Sequence, residues 1–164
     1  ARRLCNTFGN FKKRITPRVA SAFLSTCFNG WCTGRRFQQG GKCVFGGNRF
    51  CQEDSIEHYV CCRHTRAVGR KFLRIHADTE ERRAKMMGWA SFVDEDERRC
   101  WTILTYGVYM VTNAARKRPS RTQAGMEQKL AQHCRQAVEG HGPSTRCLAR
   151  RWAVQAHATP LDAP

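Results

Sequence analysis

Four cysteines and one histidine fall within twenty positions, 43 to 62, of this 164-residue chain: CVFGGNRFCQEDSIEHYVCC. A thiolate needs a positive environment or a metal to persist at neutral pH, so Cys and His at ligand-like gaps point first to zinc. Zinc takes four such donors in a tetrahedron, commonly two from a turn and two from a following helix. Cys43 precedes the turn formers Gly46, Gly47 and Asn48, and Cys51 follows them. His58 and Cys62 are spaced one helical turn apart. The expected ligand set is therefore Cys43, Cys51, His58 and Cys62, with Cys61 and His64 as alternates. The seven residues between the first two cysteines exceed the usual two to four of a knuckle. Packed thiols, a disulfide and a reactive nucleophile are the competing readings of the same cluster.

The elements that must position these side chains follow from spacing and caps. Leu4, Phe8, Phe11 and Ile15 recur among Arg and Lys at helical intervals, a short basic amphipathic segment over 2 to 14. Thr16-Pro17 opens a second helix, to about residue 31, with Val19, Phe23, Cys27 and Trp31 on one face. Asp54 with Glu57 three residues on has the form of a capping box, so His58 and Cys62 are expected on one helix. Residues 79 to 89 predict a polar surface helix after Asp78. A long helix is expected from Asp94, acidic in its first turn, to Arg116, Lys117 and Arg118 before Pro119. Its run from Cys100 to Ala115 is apolar but shorter than the roughly 20 residues of a membrane span, so a buried central helix is expected and no membrane partner. Met126, Leu130, His133, Cys134 and Val138 align on a last helix over 122 to 138, and Cys27, Cys100 and Cys134 are expected simply to pack.

The fold class expected is mainly α, a small helical domain with an inserted Cys/His zinc-knuckle-like module. Four stretches divide the chain: a basic helical segment over 1 to 40, the module running into a helix over 41 to 75, a helical bundle segment over 76 to 139, and a basic, loosely ordered tail over 140 to 164.

Charge indicates the partner. The 29 Lys and Arg outweigh 13 Asp and Glu, a formal charge of +16. Residues 1 to 75 carry +12 of it, around the Cys/His cluster. Such a surface attracts polyanions, with nucleic acid foremost. In GWCTGRRFQ, Trp31 and Phe37 flank Arg35 and Arg36, a set that can stack on unpaired bases and clamp phosphates, or whose two rings pack the module onto the second helix while the arginines stay solvated. Lys42, Arg49, Arg63, Arg66, Arg70 and Lys71 extend the patch. The opening ARRLCNTF has no apolar secretory leader and adjacent Cys61 and Cys62 suit a disulfide framework poorly, so a reducing intracellular compartment is expected rather than secretion.

NGWCTGRRFQ, CVFG, EDSIEHYVCC and FLRI together resemble the region after the polymerase core in reverse transcriptases of non-LTR (LINE-type) retrotransposons. There a basic thumb-like helical segment with a TPRV-like stretch leads into a Cys/His zinc motif. The resemblance spans about residues 1 to 118 and is densest from 16 to 75. It implies binding of template RNA or target DNA by a piece without the family's polymerase carboxylates or endonuclease. The family arrangement places a second cysteine four residues after the first, where this chain has Gly47, and Cys51 is the candidate replacement. The expected function is a non-catalytic nucleic-acid-binding module with a structural zinc. The alternative is a structural subunit of a large assembly, an organellar ribonucleoprotein or a membrane complex, that reuses the fold for packing.

Overall fold

A computed structural model describes residues 15–31, 33, 38, 41–46, 51, 53–117 and 125–139. Every regular element among them is a helix: α1 (Pro17–Cys27), α2 (Ile56–Cys61), α3 (Arg63–Leu73), α4 (Thr79–Met86), α5 (Glu95–Lys117) and α6 (Met126–Glu139). The expected helical segment over 2 to 14 and the tail beyond 139 lie outside the described residues.

α5 is the axis of the fold. Its 23 residues begin on an N-cap in which the Glu97 amide donates to Asp94 Oδ1 at 2.7 Å, and acids fill the first turn while Arg116 and Lys117 fill the last. Both arrangements complement the helix dipole. An unbroken buried stretch from Arg99 to Val108 is covered by α1, α3, α4 and α6. Three buried threonines of α5 satisfy themselves locally: Thr102, Thr105 and Thr112 donate to the carbonyls of Arg98, Trp101 and Tyr109 at 2.8, 2.8 and 3.0 Å. A polar group so bonded can be buried without the cost of an unmade hydrogen bond. No described helix is long and apolar enough to cross a membrane. α6 lies closest to α5 at Gly107, where an added Cβ would stand 2.7 Å from Cys134 Sγ and 2.8 Å from Leu130 Cδ1.

Three expectations need correction. α1 starts with Pro17 as read, but it ends at Cys27, with Phe28 as its C-cap, and the Thr16 side chain makes no cap bond. Ser55, not Asp54, caps α2: its Oγ accepts from the His58 amide at 3.0 Å. Asp54 is buried and needs partners for its charge, which it finds in Tyr59 Oη at 2.6 Å and Arg116 Nη2 at 2.7 Å. That pairing ties the cysteine-rich loop to the far end of α5. Finally, α4 is not a polar surface helix. Asp78 caps it as expected, through the Glu81 amide at 2.8 Å, but Arg82, Lys85 and Met86 are buried.

Trp31 sits at the junction of α1, α2 and α5. It is 1% exposed, its Nε1 donates to Thr26 Oγ1 at 2.8 Å, and its ring contacts those of Tyr59 and Tyr109 at centroid distances of 6.0 and 5.6 Å. A single buried cluster runs from Ile15 to Val138 and includes Cys43, Cys51 and Cys62. The module and the bundle therefore share a core.

Candidate metal centre

The loop that carries Cys43 is closed at its base by the Asp54 amide donating to Gly41 O at 3.0 Å, and turned at its tip by the Gly46 amide donating to Cys43 O at 3.3 Å. Tyr59 braces it from α2, where its hydroxyl accepts from the Val44 amide at 3.3 Å and its ring meets Phe45 edge-on. Gly46 lets the two cysteine-bearing strands of chain touch. A Cβ there would lie 2.8 Å from Cys51 Sγ and closer still to the Cys51 Cβ, which only glycine avoids. That approach explains how a seven-residue gap still delivers two ligands to one point.

α2 and α3 supply the other two. The continuous helix expected through Cys62 is broken at that residue, which has φ −56° and ψ 131° and stands at the N-cap position of α3. The break leaves Cys62 between two helices, where its sulfur lies 3.9 Å and 4.0 Å from those of Cys43 and Cys51.

Donor atoms of Cys43, Cys51, His58 and Cys62 all lie within 4.8 Å of one another. Cys62 Sγ is 3.9 Å from Cys43 Sγ and 4.0 Å from Cys51 Sγ. Sulfurs bound tetrahedrally to zinc at about 2.3 Å stand roughly 3.8 Å apart, whereas a disulfide requires about 2.05 Å. All three cysteines are free and at most 2% exposed. His58 Nε2 is buried and has no hydrogen-bond partner, the condition of an imidazole nitrogen waiting for a metal. The donor set, its spacing and this orphaned nitrogen all fit zinc. Cys51 thus joins Cys43, His58 and Cys62 in one group of donors.

Electrostatics prepare the site for a cation. A hydrogen bond from the Cys43 thiol holds the Cys62 thiol at about 3, against the opposing push of burial and with help from His58 and the Thr65 and His64 amides at the start of α3. The same shared bond, with burial, drives Cys43 upward. Cys51 is raised, chiefly by burial and then by the Cys62 charge. A dication bound by this group would displace the protons its thiols still carry.

The alternates are used elsewhere. His64 Nδ1 pairs with Glu127 Oε1 and its ring stacks on Phe45 at 6.2 Å, which joins α3 to α6 and the loop. Cys61 is half-buried and outside the four-donor group. Among the residues expected to meet nucleic acid, Arg35, Arg36, Phe37 and Arg49 lie outside the described residues. Trp31 is corrected: a ring buried between two tyrosines offers no face to a base. Lys42, Arg63 and Arg70 are exposed, and Arg66 and Lys71 are partly so. Two residues escaped the sequence reading. Arg74 is exposed in the left-handed conformation that ends α3, and Arg82 is buried, with its Nε donating to Val60 O. The run of basic residues from Arg63 onward could have flagged Arg74; nothing local marks Arg82. Comparison with family models, curated proteins and solved structures finds no match to this chain.

Proposed function

We propose that this chain is a non-catalytic nucleic-acid-binding module in which a structural zinc sets the position of a basic helix. The observation that carries this reading is the placement of Cys62, at once a member of the four-donor group and the residue from which α3 starts. α3 contains no acid. Thr65, Val68, Gly69 and Leu73 turn inward, while Arg63, Ala67, Arg70 and Arg74 follow one another at about one-turn intervals on the exposed side. Helical rise separates such residues by roughly 5 Å per turn, a ladder suited to a phosphate backbone. The overall charge of +16 supports the same partner, as does the resemblance to the segment that follows the polymerase core in LINE-type reverse transcriptases. RNA template or target DNA is the expected ligand, in a reducing intracellular compartment where thiolate ligands persist.

Binding should weaken steeply with salt, with a log–log slope of several units, because each neutralised phosphate releases counterions. Replacing both Arg63 and Arg70 with alanine should lower the slope by roughly one to two, at about 0.9 per lost contact on duplex DNA. Filter binding to RNA, single-stranded DNA and duplex across a salt series measures it. No salt-dependent binding to any of the three would remove the proposal. The alternative, a structural subunit of a larger assembly, draws on three large apolar side chains exposed among the described residues: Phe28, Trp89 and Val93 at 70%, 67% and 88%. Under that reading a protein partner covers them.

A further inference from the structure

Two attachment points bracket Cys43, and both lead to Asp54. On one side the Asp54 amide donates to Gly41 O at 3.0 Å, and a Cβ added at Gly41 would stand 3.1 Å from the Asp54 Cβ, so the two segments lie in close contact. On the other side the Val44 amide donates to Tyr59 Oη at 3.3 Å, and that hydroxyl donates to Asp54 Oδ1 at 2.6 Å. Tyr59 directly follows His58 on α2, so its hydroxyl joins the segments that carry two of the four donors. Arg116, in the last turn of α5, donates from Nη2 to the same Oδ1 at 2.7 Å. We propose that Arg116, acting through Asp54 and Tyr59, is a positioning residue of the metal centre, one that anchors Cys43 and His58 to α5 before a metal arrives. The inference rests on the zinc reading above.

The relay is buried where it meets the loop: Tyr59 is fully enclosed and Asp54 nearly so. A carboxylate at that depth needs a cation, and Arg116 supplies one. In doing so Arg116 leaves its Nε and Nη1 buried without a hydrogen-bond partner among the described residues, a cost that a side chain turned out to water would avoid. What the arrangement secures is a fixed loop. α5 is packed by four other helices and forms a rigid anchor, whereas a loose loop would have to be ordered at the expense of metal binding. The relay reaches the backbone beside the donors, so it acts on where Cys43 and His58 stand. Partners of this kind, one step removed from the metal, typically change metal affinity about 10- to 100-fold.

The test compares Arg116→Gln with Tyr59→Phe, which keeps the ring and drops the hydroxyl, singly and together. Zinc affinity is measured by competition with a chromogenic chelator, and the thiolate-to-metal band of the cobalt(II)-substituted chain reports the geometry. Each single variant should weaken zinc binding about 10- to 100-fold and alter the cobalt band. The double variant should lose about as much as the weaker-binding single one, because both substitutions cut the same chain of contacts. Glu97→Gln serves as the control: it removes the 2.8 Å ion pair with Lys85 at the opposite end of α5, and should lower stability while zinc affinity holds. Unchanged zinc affinity in Arg116→Gln, single losses that multiply in the double variant, or an equal loss in Glu97→Gln would overturn the assignment and leave Arg116 as a contributor to fold stability alone. Should Arg116→Gln fail to fold at any zinc concentration, Arg116→Lys and Tyr59→Phe decide. Near-native affinity in the first with a loss of about 10-fold or more in the second supports the assignment, and any other combination overturns it. An unmodified chain that takes up no zinc defeats the zinc reading itself, a result separate from all of these.

Discussion

His58→Ala and Cys62→Ser should each abolish stoichiometric zinc binding and release residues 41 to 62 from protection against amide exchange, while α5 and α6 stay protected. Among the described residues of the loop Cys43, Phe45 and Cys51 are the buried apolar ones, and hydrogen bonds through Gly41, Val44 and Asp54 tie it to its surroundings. Structural zinc contributes on the order of 10 kcal/mol to small modules of this kind, more than such a loop could supply otherwise. α5 and α6 bury their own faces against each other, from Ile103 and Gly107 to Leu130 and Cys134, and do not depend on the metal. Peptide-resolved hydrogen exchange separates the two regions. Uniform loss of protection along the chain, or none at all, would contradict the expected division.

Trp31→Ala should destabilise the whole fold by about 3 to 5 kcal/mol, the cost of removing a large aromatic from a core that cannot close over the void. The indole touches Tyr59 of α2 and Tyr109 of α5 and bonds Thr26 of α1, so three helices lose a shared contact together. Urea denaturation would register this as a lower midpoint at unchanged slope. Nucleic-acid affinity per folded molecule should not change. A stability loss below about 1 kcal/mol, accompanied by single-strand affinity weakened by about 1 to 3 kcal/mol, would return Trp31 to the stacking role that its neighbours in sequence suggested.

The four-donor group was legible because its chemistry is local and its residue types are few. Cys43, Cys51, His58 and Cys62 converge as their spacing indicated. The ends of α5 were legible for a similar reason, since caps and terminal charges act within one turn. What the sequence concealed was decided between elements. Asp54 and Ser55 are both competent caps, and the choice fell to Ser55 because Asp54 is claimed by Arg116, 62 residues away. The break at Cys62 has no glycine or proline to mark it. The apolar stems of Arg82 and Lys85 carry two of α4's charges inward, to Trp101 and to Glu97, which local polarity could not forecast. Trp31 read equally well as a stacking platform or as packing, and only the two tyrosines that enclose it resolve the matter.

Zinc content of the purified chain, taken by elemental mass spectrometry together with thiol reactivity under native conditions, is the most direct measurement. One zinc per chain is expected, with Cys43, Cys51 and Cys62 shielded from a thiol reagent until a chelator is added. Near-zero zinc in protein purified without chelators, with those three thiols freely reactive, would contradict the metal centre and with it the placement of α3 by a metal ligand.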